Sequence, residues 1–143
     1  MISDLIITDL KIIPNPKGEI KHIIKTSDPG FKTFGEAYLS KVFHGDIKAW
    51  KKHFRMTSNL VCLEGEIRIV VLDLIEGNIA MSSFVEILLS HENYKRITIP
   101  PGLWYGFQGV GENNLLMNVA DIIHDPNEQE SCGVDTFDNI FKW

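Results

Sequence analysis

Apolar residues recur at every second position through most of this chain, and clusters of turn-forming residues interrupt the pattern at short intervals. No other feature constrains its fold as much. "EIRIVVLDL" (66–74), "FVEILLS" (84–90) and "KRITIP" (95–100) have the period of a strand, whose successive side chains point to opposite faces. Further candidate strands lie at 4–13, 18–25, 36–43, 47–54, 58–65, 105–110 and 114–123. "NPKG", "SDPGF", "HGD", "EGN", "PPG" and "HDPNE" punctuate them as turns. Only "DTFDNIFKW" at the end reads as a short helix. About ten short strands at this spacing predict one all-β domain over 1–143, a sandwich or a barrel.

Composition limits the function classes. Apolar residues make up 44% and charged residues 23% of the chain, an ordinary globular balance. The formal net charge of −5 argues against a nucleic-acid partner, although "IKAWKKHFR" (47–55) is locally basic. No stretch approaches the roughly eighteen apolar residues of a membrane span. The N-terminus mixes acidic with apolar residues and lacks a basic n-region, so it does not read as a signal peptide. Cys62 and Cys132 are too few for a disulfide framework and lack metal spacing. Cys62 is expected as a buried free thiol, and a cytoplasmic location fits.

Two segments carry the chemistry. If 47–54 is a flat strand, Ile47, Ala49, Lys51 and His53 share one face, with Lys48, Trp50 and Lys52 on the other. Lysine is seldom buried without a partner, so a face holding Lys51 and His53 is either wet or functional. In "ITIPPGLWYGFQG" (97–109), Pro100 and Pro101 stiffen the turn, and Gly102 and Gly106 permit tight backbone. Trp104, Tyr105 and Phe107 then make an aromatic corner. The tryptophans Trp50 and Trp104 serve either packing or stacking on a ligand.

"GEIRIVVLD", "EILLSHENYKRITIPPGLWYGF" and "NNLLMNVADIIHDPNEQE" resemble the cupins of nucleotide-sugar biosynthesis. The similarity runs from about Lys17 to Glu130 and is greatest to the dTDP-4-dehydrorhamnose 3,5-epimerases and related short sugar epimerases and ketoisomerases. It implies a cupin-type jelly-roll barrel, a homodimer, with a nucleotide diphosphate at the barrel mouth and a ketosugar inside. It further places Lys48 at the family's phosphate-binding arginine and Lys51 at its catalytic histidine. Lys17 falls on an arginine that reaches the phosphates. His53 matches the second histidine of the short members, Tyr105 a pocket histidine, and Met117 the tyrosine acid. The three positions Lys51, Tyr105 and Met117 therefore lack the catalytic groups of the epimerase pattern.

The groups present still suit proton abstraction next to a ketone, which needs a base and a donor for the enolate oxygen. His53 is a candidate base, because imidazole titrates near neutrality. Lys51 is a second candidate base or an electrostatic stabiliser, and Tyr105 a proton donor. Arg55 and Arg68 are candidate phosphate or carboxylate partners. Metal-binding cupins use paired histidines, a glutamate and a further histidine, and only His53 fits such a set. No metal and no cofactor are expected. Two function classes follow. One is an epimerase or isomerase of a nucleotide-linked 4-keto-6-deoxy sugar in surface polysaccharide synthesis; the other is a non-catalytic cupin that binds a nucleotide sugar or regulates a partner enzyme.

Overall fold

Gly65 sits at the corner where the chain passes from one sheet to another. Its φ is 78°, and a Cβ there would lie 2.0 Å from the Asn113 carbonyl oxygen, so only glycine fits. Before it runs β6 (Ser58–Glu64) and after it β7 (Glu66–Asp73). The other main strands are β1 (Ile6–Asp9), β4 (Glu36–Phe43), β5 (Ile47–His53), β8 (Ser83–Ser90), β9 (Lys95–Ile99), β10 (Trp104–Gly109), β11 (Asn113–Ala120) and β12 (Gln129–Ser131). β2 (Ile12–Ile13) and β3 (Ile20–Lys21) form a small separate ribbon. The computed structural model describes residues 2–143.

The strands build two five-stranded antiparallel sheets, β1-β9-β6-β11-β4 and β12-β5-β10-β7-β8, packed as the expected jelly roll. Alternation fixes what lies between them. Leu60 and Cys62 of β6, Leu116 of β11, Ile67, Ile69 and Val71 of β7, and Ile97 and Ile99 of β9 are all buried in one cluster. Each large aliphatic side chain removed from water there is worth about 1.5–3 kcal/mol. Buried Asn114 staples the corner: its amide donates to the Val42 and Gly111 carbonyls at 3.0 and 2.9 Å, and its carbonyl accepts from the Glu66 amide at 3.0 Å.

Several expected elements change. The 4–13 strand breaks into β1 and β2, and β1 is taken up by β9 inside the same chain, with Ile7 opposite Ile97. The 18–25 strand shrinks to β3, and β12 appears just after the "HDPNE" turn, where no strand was expected. The C-terminal segment forms consecutive turns rather than a helix. A segment this short does not hold a helix by itself. Phe137, Ile140, Phe141 and Trp143 instead cover Trp50, Val70, Leu72 and Trp104 on the outer face of the second sheet. On the first sheet, fully buried Arg96 donates to the carbonyls of Ile23 (2.7 Å) and Pro29 (2.9 Å) and to Asp28 (3.2 Å), tying the segment before β4 across that face. Among the described residues no helix is long and apolar enough to cross a membrane.

The feature that shapes the site is an irregularity in β5. Lys51 pairs with Tyr105 and Lys48 with Phe107, so Ala49 and Trp50 together oppose the single residue Gly106. Such a bulge inserts one residue and reverses the alternation. Lys48 and Lys51, expected on opposite faces, therefore both turn inward. Gly106 makes room: a Cβ on it would lie 2.4 Å from the Ala49 Cβ and 2.9 Å from Trp143 Cζ2. Gly106→Ala should lower stability by about 1–3 kcal/mol through this overpacking. Urea denaturation measures it, and an unchanged midpoint would mean that the bulge is not closely packed.

Candidate active site

Between the sheets, at the end where β4 and β5 diverge, lies a cavity of about 360 Å³. That falls within the range of roughly 300–1,000 Å³ usual for small-molecule sites. The second sheet lends it Lys48, Lys51, Tyr105 and Phe107, with Ser131 and Cys132 from β12 and the residue after it. The first sheet supplies Tyr38, Ser40, Leu60, Leu116 and Asn118. The wall thus mixes apolar Leu60, Leu116 and Phe107 with polar groups, of which Asn118 and Tyr105 are deeply buried. At the mouth the Lys48 ammonium donates to Ser40 Oγ (3.0 Å) and to the Lys41 carbonyl (2.8 Å).

A buried chain of polar groups reaches this cavity from behind. Glu128, 3% exposed, contacts His53 Nδ1 through one oxygen; its other oxygen accepts from the amides of Arg55 (3.1 Å) and Met56 (3.2 Å). His53, 4% exposed, presents Nε2 to Tyr105 Oη at 3.3 Å. With the carboxylate at Nδ1, that nitrogen carries the proton and Nε2 accepts from the tyrosine. Burial alone would raise the Glu128 pKa, but the bonds from His53 and the two amides outweigh it and hold the carboxyl below its usual value. Burial pulls His53 below its ordinary value despite the glutamate, which keeps the imidazole neutral. Burial also depresses Lys51, aided by Lys48 and opposed by Glu128. Tyr105 is pushed well above the ordinary tyrosine value, first by burial and then by Tyr38, against a hydrogen bond with Ser58.

Of the expected site residues, Lys48, Lys51 and Tyr105 line the cavity. His53 stands one layer behind, touching Tyr105 rather than the cavity wall. The others lie elsewhere. Lys17 is exposed on the turn between β2 and β3, and Arg55 pairs with Asp125 at 3.2 Å outside the barrel. Arg68 faces outward beneath Phe141 and Trp143, bonded to Glu86 at 3.1 Å. Trp104 packs on Phe137, with the Lys52 ammonium over its ring. Met117 alternates with Leu116 and Asn118, the cavity residues of β11, and so faces away. Reading the sequence alone misses Glu128, Tyr38 and Asn118. Glu128 lies in the "HDPNE" turn, and only the pairing of Gln129 with His53 carries it to the site. Cys62 is a buried free thiol as expected, raised to about 11 by burial. Among the described residues no three His, Cys, Asp or Glu side chains gather to hold a metal.

The depressed pKa values of His53 and Glu128 make stability depend on pH in a defined direction. Both groups bind protons more readily in the unfolded chain, so stability is complete above the unfolded values and falls with pH. The loss should begin below about 6.5, where the unfolded histidine protonates, and deepen below about 4.5, where the unfolded glutamate does. Urea midpoints measured from pH 8 to pH 4 should show both phases. His53→Gln should flatten the first, and an unaltered profile in that variant would separate His53 from the acid response.

Comparison with known proteins agrees with this geometry. The family model described as dTDP-4-dehydrorhamnose 3,5-epimerase matches residues 32–143. Over 134 residues the chain is 25% identical to the probable low-salt glycan biosynthesis epimerase Agl13 of Haloferax volcanii, covering 90% of this chain and 86% of that protein. The crystal structure of a dTDP sugar isomerase from Desulfovibrio desulfuricans superposes with a TM-score of 0.91 at 31% identity, covering 99% of this chain and 91% of the other. A Legionella pneumophila dTDP-6-deoxy-D-glucose-3,5-epimerase, solved in complex with dTDP-4-keto-L-rhamnose, superposes at 0.85 with 19% identity over 99% of this chain and 79% of that one, a likeness of fold. A jelly roll with a polar-mouthed cavity, matched over most of its length by this family model, belongs to the dTDP-4-dehydrorhamnose 3,5-epimerase family of sugar epimerases and isomerases.

Proposed function

We propose that the protein epimerises or isomerises a nucleotide-linked 4-keto-6-deoxy sugar during glycan synthesis, by removing a proton next to the ketone. The observation that carries this reading is the Glu128–His53–Tyr105 chain opening onto a cavity beside Lys51. Tyr105 Oη takes the proton from carbon as its own proton passes to His53 Nε2. Glu128 stabilises the imidazolium that results, in the manner of an oriented base in a catalytic triad. A phenol with a raised pKa is a poor free base, so the transfer to His53 must accompany abstraction. Lys51, the register partner of Tyr105, holds its ammonium where the enolate oxygen forms. Atoms balance: one C–H bond breaks, one imidazolium N–H forms, and the electron pair moves onto the carbonyl oxygen.

Lys48 sits at the mouth, where a diphosphate would approach, and its partners Ser40 and the Lys41 carbonyl hold it in place. The related Legionella pneumophila structure, solved with dTDP-4-keto-L-rhamnose, supports a nucleotide sugar as the ligand. The same proposal includes a homodimer joined through β1, which ends its sheet. Sedimentation at micromolar concentration should show a species of twice the 16.2 kDa chain mass, and a single 16.2 kDa species would exclude it.

The test is deuterium uptake from D2O into dTDP-4-keto-6-deoxyglucose, followed by mass spectrometry. The wild type should incorporate label next to the ketone. His53→Gln should lower turnover about a hundredfold or more, as expected for loss of a general base, while leaving dTDP affinity within about twofold. Lys48→Ala should instead weaken dTDP binding by about 1–2 kcal/mol, the range of one charge-assisted contact. Tight binding by the wild type with no uptake would leave only a non-catalytic nucleotide-sugar binder.

A further inference from the structure

Tyr105 and Lys51 project from the same sheet, so they meet a sugar ring from one side. Inversion at carbon needs a proton returned from the other side, and that wall is built by β4 and β11. Apart from Ser40, its polar side chains are Tyr38 and Asn118. Asn118 is 2% exposed and cannot rotate freely: its carbonyl oxygen accepts from the Asn59 amide at 3.0 Å. Its amide nitrogen is thereby turned toward the hydroxyl of Tyr38, to which it donates at 3.0 Å, and toward Ser58 Oγ at 3.4 Å. The tyrosine oxygen is an acceptor in this contact, so its own hydrogen is not spent on Asn118. The donated bond also favours the phenolate left when that hydrogen departs. Tyr38 is 39% exposed, so its hydroxyl exchanges with water and can be reprotonated after each turnover.

We infer that Tyr38, held by Asn118, is the proton donor facing Tyr105 across the cavity, and that this pair makes the reaction an inversion at a single carbon. The inference rests on the reading of the site as a ketosugar epimerase. Tyr105 removes the proton on one face and Tyr38 delivers its O–H proton to the other face of the same carbon. Water at the mouth then carries a proton from the His53–Tyr105 chain to the Tyr38 phenolate, so neither oxidant nor co-reactant is consumed. Asn118 is a positioning residue, acting only through the Tyr38 hydroxyl.

Tyr38→Phe removes one oxygen at a partly exposed rim and leaves the ring that packs there. With dTDP-4-keto-6-deoxyglucose in D2O, wild-type epimer should carry one deuterium from the first turnover, because its donor exchanges with solvent. In Tyr38→Phe the turnover number for epimer formation should fall about a hundredfold, while the Kd for dTDP and the melting temperature stay close to wild type. Epimer formation at the wild-type rate in this variant would overturn the inference and leave the proposed function standing. A loss appearing wholly as weaker dTDP binding would overturn it as well, making Tyr38 a binding contact. Epimer that retains protium in the wild type would show return from a single shielded group and exclude an opposing donor. No exchange and no product in the wild type would instead bring down the ketosugar reading, and this inference with it.

Discussion

The extra residue in β5 opposite Gly106 is the constraint on which the site depends. Without it, a strand carrying "IKAWKKH" would present Lys48 and Lys51 to opposite sides, and one would be lost to the outer face. With it, both ammonium groups enter one cavity, Trp50 turns to the aromatic cluster outside, and Lys52 emerges over Trp104. A single backbone irregularity thus separates the strand's lysines into two that line the cavity and one for the surface. The glycine opposite is its structural counterpart, since any side chain at Gly106 would meet Ala49.

Burying a carboxylate and an imidazole together is costly unless every lone pair and proton finds a partner. Here they do. Glu128 accepts from two backbone amides as well as from His53, and His53 is held at both nitrogens. The consequence is rigidity. The imidazole cannot turn without breaking one of two bonds, so Tyr105 faces the cavity from a fixed support. Lys51, by contrast, keeps its ammonium on the cavity side, where a ligand's charge can meet it.

The fold was legible because period-two alternation and turn chemistry survive in nearly every strand. β4, β7, β8, β9 and β11 fall within a few residues of their expected bounds. The site was only half legible, for reasons of geometry. Alternation assumes a flat strand, so it assigned Lys48 to the wrong face once a bulge intervened. It did not bring in Glu128, whose approach depends on a three-residue strand pairing with β5 at the sheet edge. The same family resemblance that pointed to Lys51 and Tyr105, which line the cavity, put the tyrosine acid at Met117, although alternation along β11 turns that side chain outward. Arg68 and Trp104 have the chemistry of ligand contacts, but their strand positions send them to the outer, aromatic-covered face.

The pairing of β12 with β5 also makes the buried pair a long-range feature of the chain. His53 closes β5 and Glu128 immediately precedes β12, so the two meet only when β12 is laid down at the sheet edge. Like the pairings of β1 with β9 and β4 with β11, this pairing closes a long loop whose entropy must be surrendered first. A barrel in which that edge strand has not docked would keep its aliphatic core and both lysines, yet leave an imidazole with no carboxylate behind it. The buried His53–Glu128 pair therefore exists only where the whole second sheet is in place, up to its edge strand.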